Sequence, residues 1–117
     1  MLSNLAASSI IFTNSMAGKA YMTFGFRAGG QDSGPAFERA HKAQLNEAEW
    51  SPILIAGLIL LESKGQATPI AAALAAGGSV LYLWAKCAGL LQISPIGALA
   101  RYFAGFMMAG QLLTLLK

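Results

Sequence analysis

The chain has 117 residues, of which 56% are hydrophobic and only 11% charged, and its mean hydropathy is +0.55. A soluble domain carries about a quarter charged residues, so this composition excludes a disordered chain, argues against a water-soluble globule and points to a membrane protein. The net charge of +3 comes from eight basic and five acidic residues spread along the chain, without the basic cluster that nucleic-acid binding needs. The only cysteine, Cys87, excludes an internal disulfide and a cysteine-based zinc site, and the only histidine, His41, excludes a histidine-rich metal site.

A bilayer core takes about 20 apolar residues per helix, and four such spans are legible within one domain, residues 1–117. The first, about 5–26, contains Asn14, Lys19 and several Ser and Thr. It reads as a true span rather than a signal peptide, because the basic segment that precedes a signal core is missing and Lys19 comes late. Arg27 to Pro35 is turn chemistry, with Pro35 suited to the first turn of the next helix and Ser33 to its cap. The second helix, about 35–62, is polar over its first half and apolar all round over its second, and Pro52 predicts a kink between them. After the short loop Ser63 to Thr68, the third span runs from Pro69 to about Leu91; Ala71 to Ala76 with Gly77 and Gly78 are small residues that allow close helix approach in lipid. Gln92 to Ser94 reads as a tight turn, and the fourth span, about 95–116, carries Arg101 two turns inside it.

Four spans with short connections predict an all-α integral membrane protein, an up-and-down four-helix bundle with both termini at one end. Arg27, Arg39 and Lys42 lie at or beside the first loop, and Lys86 and Arg101 beside the third, against Lys64 and Lys117 at the terminal end. The positive-inside bias therefore places the first and third loops on the cytoplasmic side or its equivalent.

The polar start of the second helix sets Arg39, Lys42, Asn46 and Glu49 on one face, at i, i+3, i+7 and i+10. Such a stripe leading into lipid must meet water, partners or a ligand. It has two readings: a solvated or intersubunit face with its charges paired, or a site for a small zwitterionic peptide whose carboxylates the cations would take. Lys86 and Arg101 either snorkel to the surface or pair with Glu47 or Glu49 across the bundle. Trp50, Trp84, Tyr82 and Tyr102 suit an interfacial belt or subunit packing, and Cys87, in an apolar stretch, reads as inert.

The segment RAHKAQLNEAEWSPILIAGLILLE, with GGQDSGPAFERA upstream, resembles the second-helix signature of the MAPEG family, the membrane-associated proteins in eicosanoid and glutathione metabolism. The resemblance is specific over Gly29 to Glu62. It implies a four-helix bundle assembling as a homotrimer, with glutathione between adjacent subunits. Carried over by position, Arg39, Lys42, Asn46 and Glu49 become the glutathione-binding set, with Lys42 where an Arg is common, and an ammonium does not replace a bidentate guanidinium neutrally. Helix 3 departs from the family's Arg-x-x-His pattern. Anchored on Pro95, its positions are occupied by Leu81, Trp84 and Ala88, with Gly97 and Arg101 in helix 4. Anchored on Gly89, they are occupied by Leu83 and Lys86, with Arg101 matching the helix-4 Arg. Either way the helix-3 Arg is missing, leaving Lys86 and Arg101 as the groups able to favour a thiolate.

Two functions follow, and a lipid-binding protein with the same fold and no chemistry ranks below both. The first is a non-catalytic accessory subunit in a larger membrane complex, photosynthetic or respiratory, in a plastid or mitochondrial membrane, although no transit-type segment is legible ahead of the first span. The second is a glutathione-dependent transferase or peroxidase acting on lipophilic electrophiles drawn from the bilayer, with Lys86 or Arg101 favouring the thiolate.

Overall fold

The computed structural model of the chain describes residues 2–116. They form four helices, α1 (Asn4–Gly25), α2 (Pro35–Ser63), α3 (Pro69–Cys87) and α4 (Ser94–Thr114), with one 3-10 turn at Arg27–Gly29 and no strand among the described residues. Local chemistry sets the helix starts. The Ser3 hydroxyl accepts from the Ala6 N–H at 3.0 Å and caps α1, while Pro35, Pro69 and Pro95 each stand in a first turn, where a missing N–H costs nothing.

Two boundaries differ from the sequence reading. The cap of α2 is Gly34 at φ 100° rather than Ser33, because the chain must reverse there in a conformation that glycine alone adopts cheaply. The third helix ends at Cys87 rather than Leu91, and the turn lies at Gly89, φ 77°. Leu90 and Leu91 thus leave the helix and stand exposed in the loop. The helix α2 runs as one element with Pro52 inside it, as the sequence indicates.

The helices run alternately up and down. At the terminal end, the Asn4 amide donates to the carbonyls of Leu58 (3.3 Å) and Gln66 (2.9 Å) and accepts from the Thr68 N–H (3.4 Å), and Gln111 donates to the Ala67 carbonyl (3.1 Å). The start of α1 and the end of α4 are thereby tied to the loop between α2 and α3. At the opposite end, Met22, Phe26, Phe37 and Ala40 close an apolar cluster against Cys87. The helices α2 and α3 each touch all three others, whereas α1 and α4 flank this central pair without meeting.

Small residues fill the middle: Ala71, Ala72, Ala75, Ala76 and Ala104 pack with Ile11, Leu54, Leu58, Leu61 and Met108. Without a hydrophobic drive between helices in lipid, such close backbone approach supplies the packing energy. It is tightest between α3 and α4. A Cβ added to Gly97 would lie 2.6 Å from the Tyr82 nitrogen, and one added to Gly78 would lie 2.8 Å from the Gly97 carbonyl oxygen. Gly77, by contrast, faces open space, so of the two adjacent glycines Gly78 alone packs inside the bundle. The outward faces are apolar, with Phe12, Phe24, Ile53, Leu99, Phe103 and Phe106 exposed, and α3 and α4 are each long and apolar enough to cross a bilayer.

Replacement of Gly97 or Gly78 by Leu should separate α3 from α4 and cost about 1–3 kcal/mol or more, whereas Gly77→Ala should change stability by less than about 1 kcal/mol. Unfolding of the micelle-embedded protein, followed by circular dichroism, checks the contrast.

Candidate functional site

The close crossing of α3 and α4 determines what stands one turn further along. Gly78 is followed four residues later by Tyr82, and Gly97 by Arg101. The backbone contact at the two glycines therefore presses Arg101 into the bundle, where it is 1% exposed. Its Nη1 donates to Glu47 Oε2 at 3.2 Å, and its Nη2 donates to Asn46 Oδ1 at 2.6 Å. The guanidinium carbon lies 4.2 Å from the centroid of the Tyr82 ring and 5.1 Å from that of Trp50, both within the range of cation–π attraction.

Glu47 is equally buried, at 1% exposed. The Ser51 hydroxyl lies 2.7 Å from the Glu47 main-chain oxygen and 3.0 Å from its Oε1, so its one proton serves either acceptor in turn. Asn14 of α1 and Ser79 of α3 also face this carboxylate, although the Asn14 Nδ2 and the Ser79 Oγ complete no hydrogen bond. The Asn14 Oδ1 accepts from the Trp84 indole N–H at 2.9 Å. All four helices thus contribute to one polar centre, and it holds the only ion pair among the described residues.

The four residues of the α2 stripe separate. Asn46 turns inward to Arg101, while Lys42 and Glu49 are exposed and without a side-chain partner among the described residues. Arg39 is half-buried, with its guanidinium beside Gly89 and its Nε unpartnered. Lys86 stands half-buried in the last turn of α3, away from any ion pair. Of the two open pairings for the basic residues, the structure makes Arg101–Glu47; Glu49 lies outside it. Nor do the aromatic residues form only a belt: Trp50 and Tyr82 enclose the guanidinium and Trp84 holds Asn14. The sequence reading named Asn14 and Gly97 without this role and did not single out Ser79. Their trace was present as a lone amide in an apolar span and as equal glycine spacings ahead of Tyr82 and Arg101. His41 stacks on Phe37 with ring centroids 5.5 Å apart, and its Nδ1 lies 3.5 Å from Arg27 Nη2, which makes it a local contact of the loop end.

An antiparallel four-helix bundle with an apolar exterior and a buried charge pair defines a helical membrane protein. The chain belongs to the MAPEG family, whose model matches residues 1–114, a membrane family generally associated with glutathione. It has no significant match among curated proteins or solved structures.

Removing one member of the buried pair leaves the other charged and unpartnered in apolar surroundings. Arg101→Leu or Glu47→Leu alone should cost about 3–5 kcal/mol. The double variant should recover most of that loss, because no charge is left stranded. A double-mutant cycle of unfolding free energies in micelles checks both statements.

Proposed function

We propose that this MAPEG member is a non-catalytic, structural subunit of a membrane assembly, with a polar centre that locks the bundle instead of activating a thiol. The observation that carries the proposal is the commitment of Arg101. To depress a thiol's pKa, a cation must stand beside the sulfur with a donor free to receive it. Nη1 and Nη2 of Arg101 are bonded to Glu47 and Asn46, its faces are covered by Trp50 and Tyr82, and it is 1% exposed, so that its one unpartnered nitrogen, Nε, is sealed inside the bundle.

Engaging a tripeptide thiol there would mean breaking the one ion pair of the core. Lys86 is a poor substitute, since no bonded partner aims its ammonium at a fixed point. Leu81 or Leu83 occupies the position at which the family pattern expects an Arg. Asn46, one of the four residues that would hold glutathione, already accepts from Arg101. The residues present therefore do not fit glutathione as an activated nucleophile. The exposed apolar faces of α1 and α4 suit lipid or neighbouring membrane subunits equally.

A glutathione transferase or peroxidase is the second reading. It is favoured by Lys42 and Glu49, which remain exposed on one face beside Arg39, whose Nε is unpartnered.

Titration calorimetry of glutathione into the detergent-purified protein separates the two. The structural reading expects no saturable heat up to millimolar glutathione and stoichiometric co-purification of other membrane subunits under mild extraction. Micromolar binding by an unaccompanied homo-oligomer, lost in Glu49→Ala, would overturn it.

A further inference from the structure

The outer groove between α1 and α2 is a second feature, separate from the polar centre's ion pair. Two cavities of about 440 and 400 Å³ lie along it. Phe12 and Ile55 wall both, so the cavities adjoin. Lys19 stands at the end nearer the first loop, and Leu5 and Ile59 at the other. On α1 the lining positions 5, 8, 12, 15 and 19 recur at helical spacing, and they trace one continuous furrow.

Between these ends the groove is largely apolar, and its walls face outward, with Phe12 61% exposed. From Leu5 to Lys19 is fourteen residues, about 21 Å at about 1.5 Å per residue. The helix α1 is 22 residues long, about 33 Å, and crosses a bilayer core of about 30 Å. Lys19 stands six residues, about 9 Å, short of its loop-one end, within reach of the headgroup level by snorkelling, and the groove runs from there past the midplane. Lys19 is exposed and no described acid pairs with it. An unpaired ammonium on a membrane helix draws an anion, or reaches for one by snorkelling. The loop-one end also carries Arg27 and Lys42, so the surrounding field is positive and attracts anionic lipid.

We propose that the α1–α2 groove is a binding site for one anionic phospholipid. An acyl chain lies along Phe12 and Ile55 toward Ile59, and the headgroup phosphate pairs with Lys19. The Glu47–Arg101 pair takes no part, and of the α2 stripe Lys42 adds only to the surrounding field, so the site does not depend on whether the protein is catalytic.

Native mass spectrometry of the protein released from mixed micelles of dioleoyl phosphatidylglycerol and dioleoyl phosphatidylcholine tests the proposal. One retained phosphatidylglycerol per chain is expected, in at least five-fold preference over phosphatidylcholine. Lys19→Glu should abolish the preference, and Lys64→Glu, at the opposite end, should leave it intact. Both lysines are exposed, so neither variant threatens folding. Ser15→Trp, which fills the groove, should reduce retention of both lipids. Equal preference in wild type and Lys19→Glu would overturn the proposal. So would a photo-crosslinker at Phe12 that captures a second copy of the chain in place of lipid.

Discussion

A guanidinium placed in the middle of an apolar bundle must be neutralised, and every other polar feature of the core is arranged around that need. A charged side chain at the centre of a bilayer costs several kcal/mol unless it is paired and hydrogen-bonded. Arg101 meets the requirement with Glu47 as counter-ion, Asn46 as acceptor and two aromatic faces. The carboxylate is in turn held by Ser51 and faced by Asn14 and Ser79. Because these groups come from all four helices, the pair specifies how the helices are rotated about their axes. A slip of one residue in α2 would leave both charges facing hydrocarbon.

The pair depends on glycine. Only at Gly78 and Gly97 do α3 and α4 come close enough for the next turn of α4 to carry Arg101 inward. Elsewhere the packing is alanine against larger aliphatics, which permits sliding more readily than a close backbone contact does. Both ends of the bundle are fastened separately, by Asn4 and Gln111 on the second loop and by the Phe26–Phe37 cluster beneath the first and third. The middle thus fixes rotation, and the ends fix the order of the helices.

Much of this was legible in the sequence. Pro35, Pro69 and Pro95 mark three helix starts, and the hydropathy marks α3 and α4 as spans, whereas the polar residues of α1 and of the first half of α2 weaken that signal there. The signature around Arg39 to Glu49 identifies the family. What the sequence could not rank was the choice of ion pair. Glu47 and Glu49 are both within reach of a basic residue on another helix, and two residues apart on a helix they point about 200° away from each other. The inward direction depends on where α4 packs, which is a tertiary fact. The end of α3 was misplaced for a local reason. Leu90 and Leu91 are good helix formers and apolar, but Gly89 at positive φ ends the helix before them. The separation of Arg39, Lys42, Asn46 and Glu49 was hidden for a related reason: a stripe shared on a helical wheel is about 80° wide, and the edge nearest α4 is drawn inside.

On the proposed reading, the interaction that stabilises the bundle also occupies its best candidate for thiol chemistry. Arg101 is paired with Glu47 and Asn46 and its unpartnered Nε is buried, so a sulfur anion would have to enter the core to reach it. The most direct test is the ultraviolet thiolate absorbance of glutathione mixed with the purified protein at neutral pH, compared with the Arg101→Lys variant. A structurally committed Arg101 predicts no thiolate band above that of free glutathione in either protein. A band that appears with the wild type and vanishes in Arg101→Lys would contradict it and make Arg101 a catalytic residue.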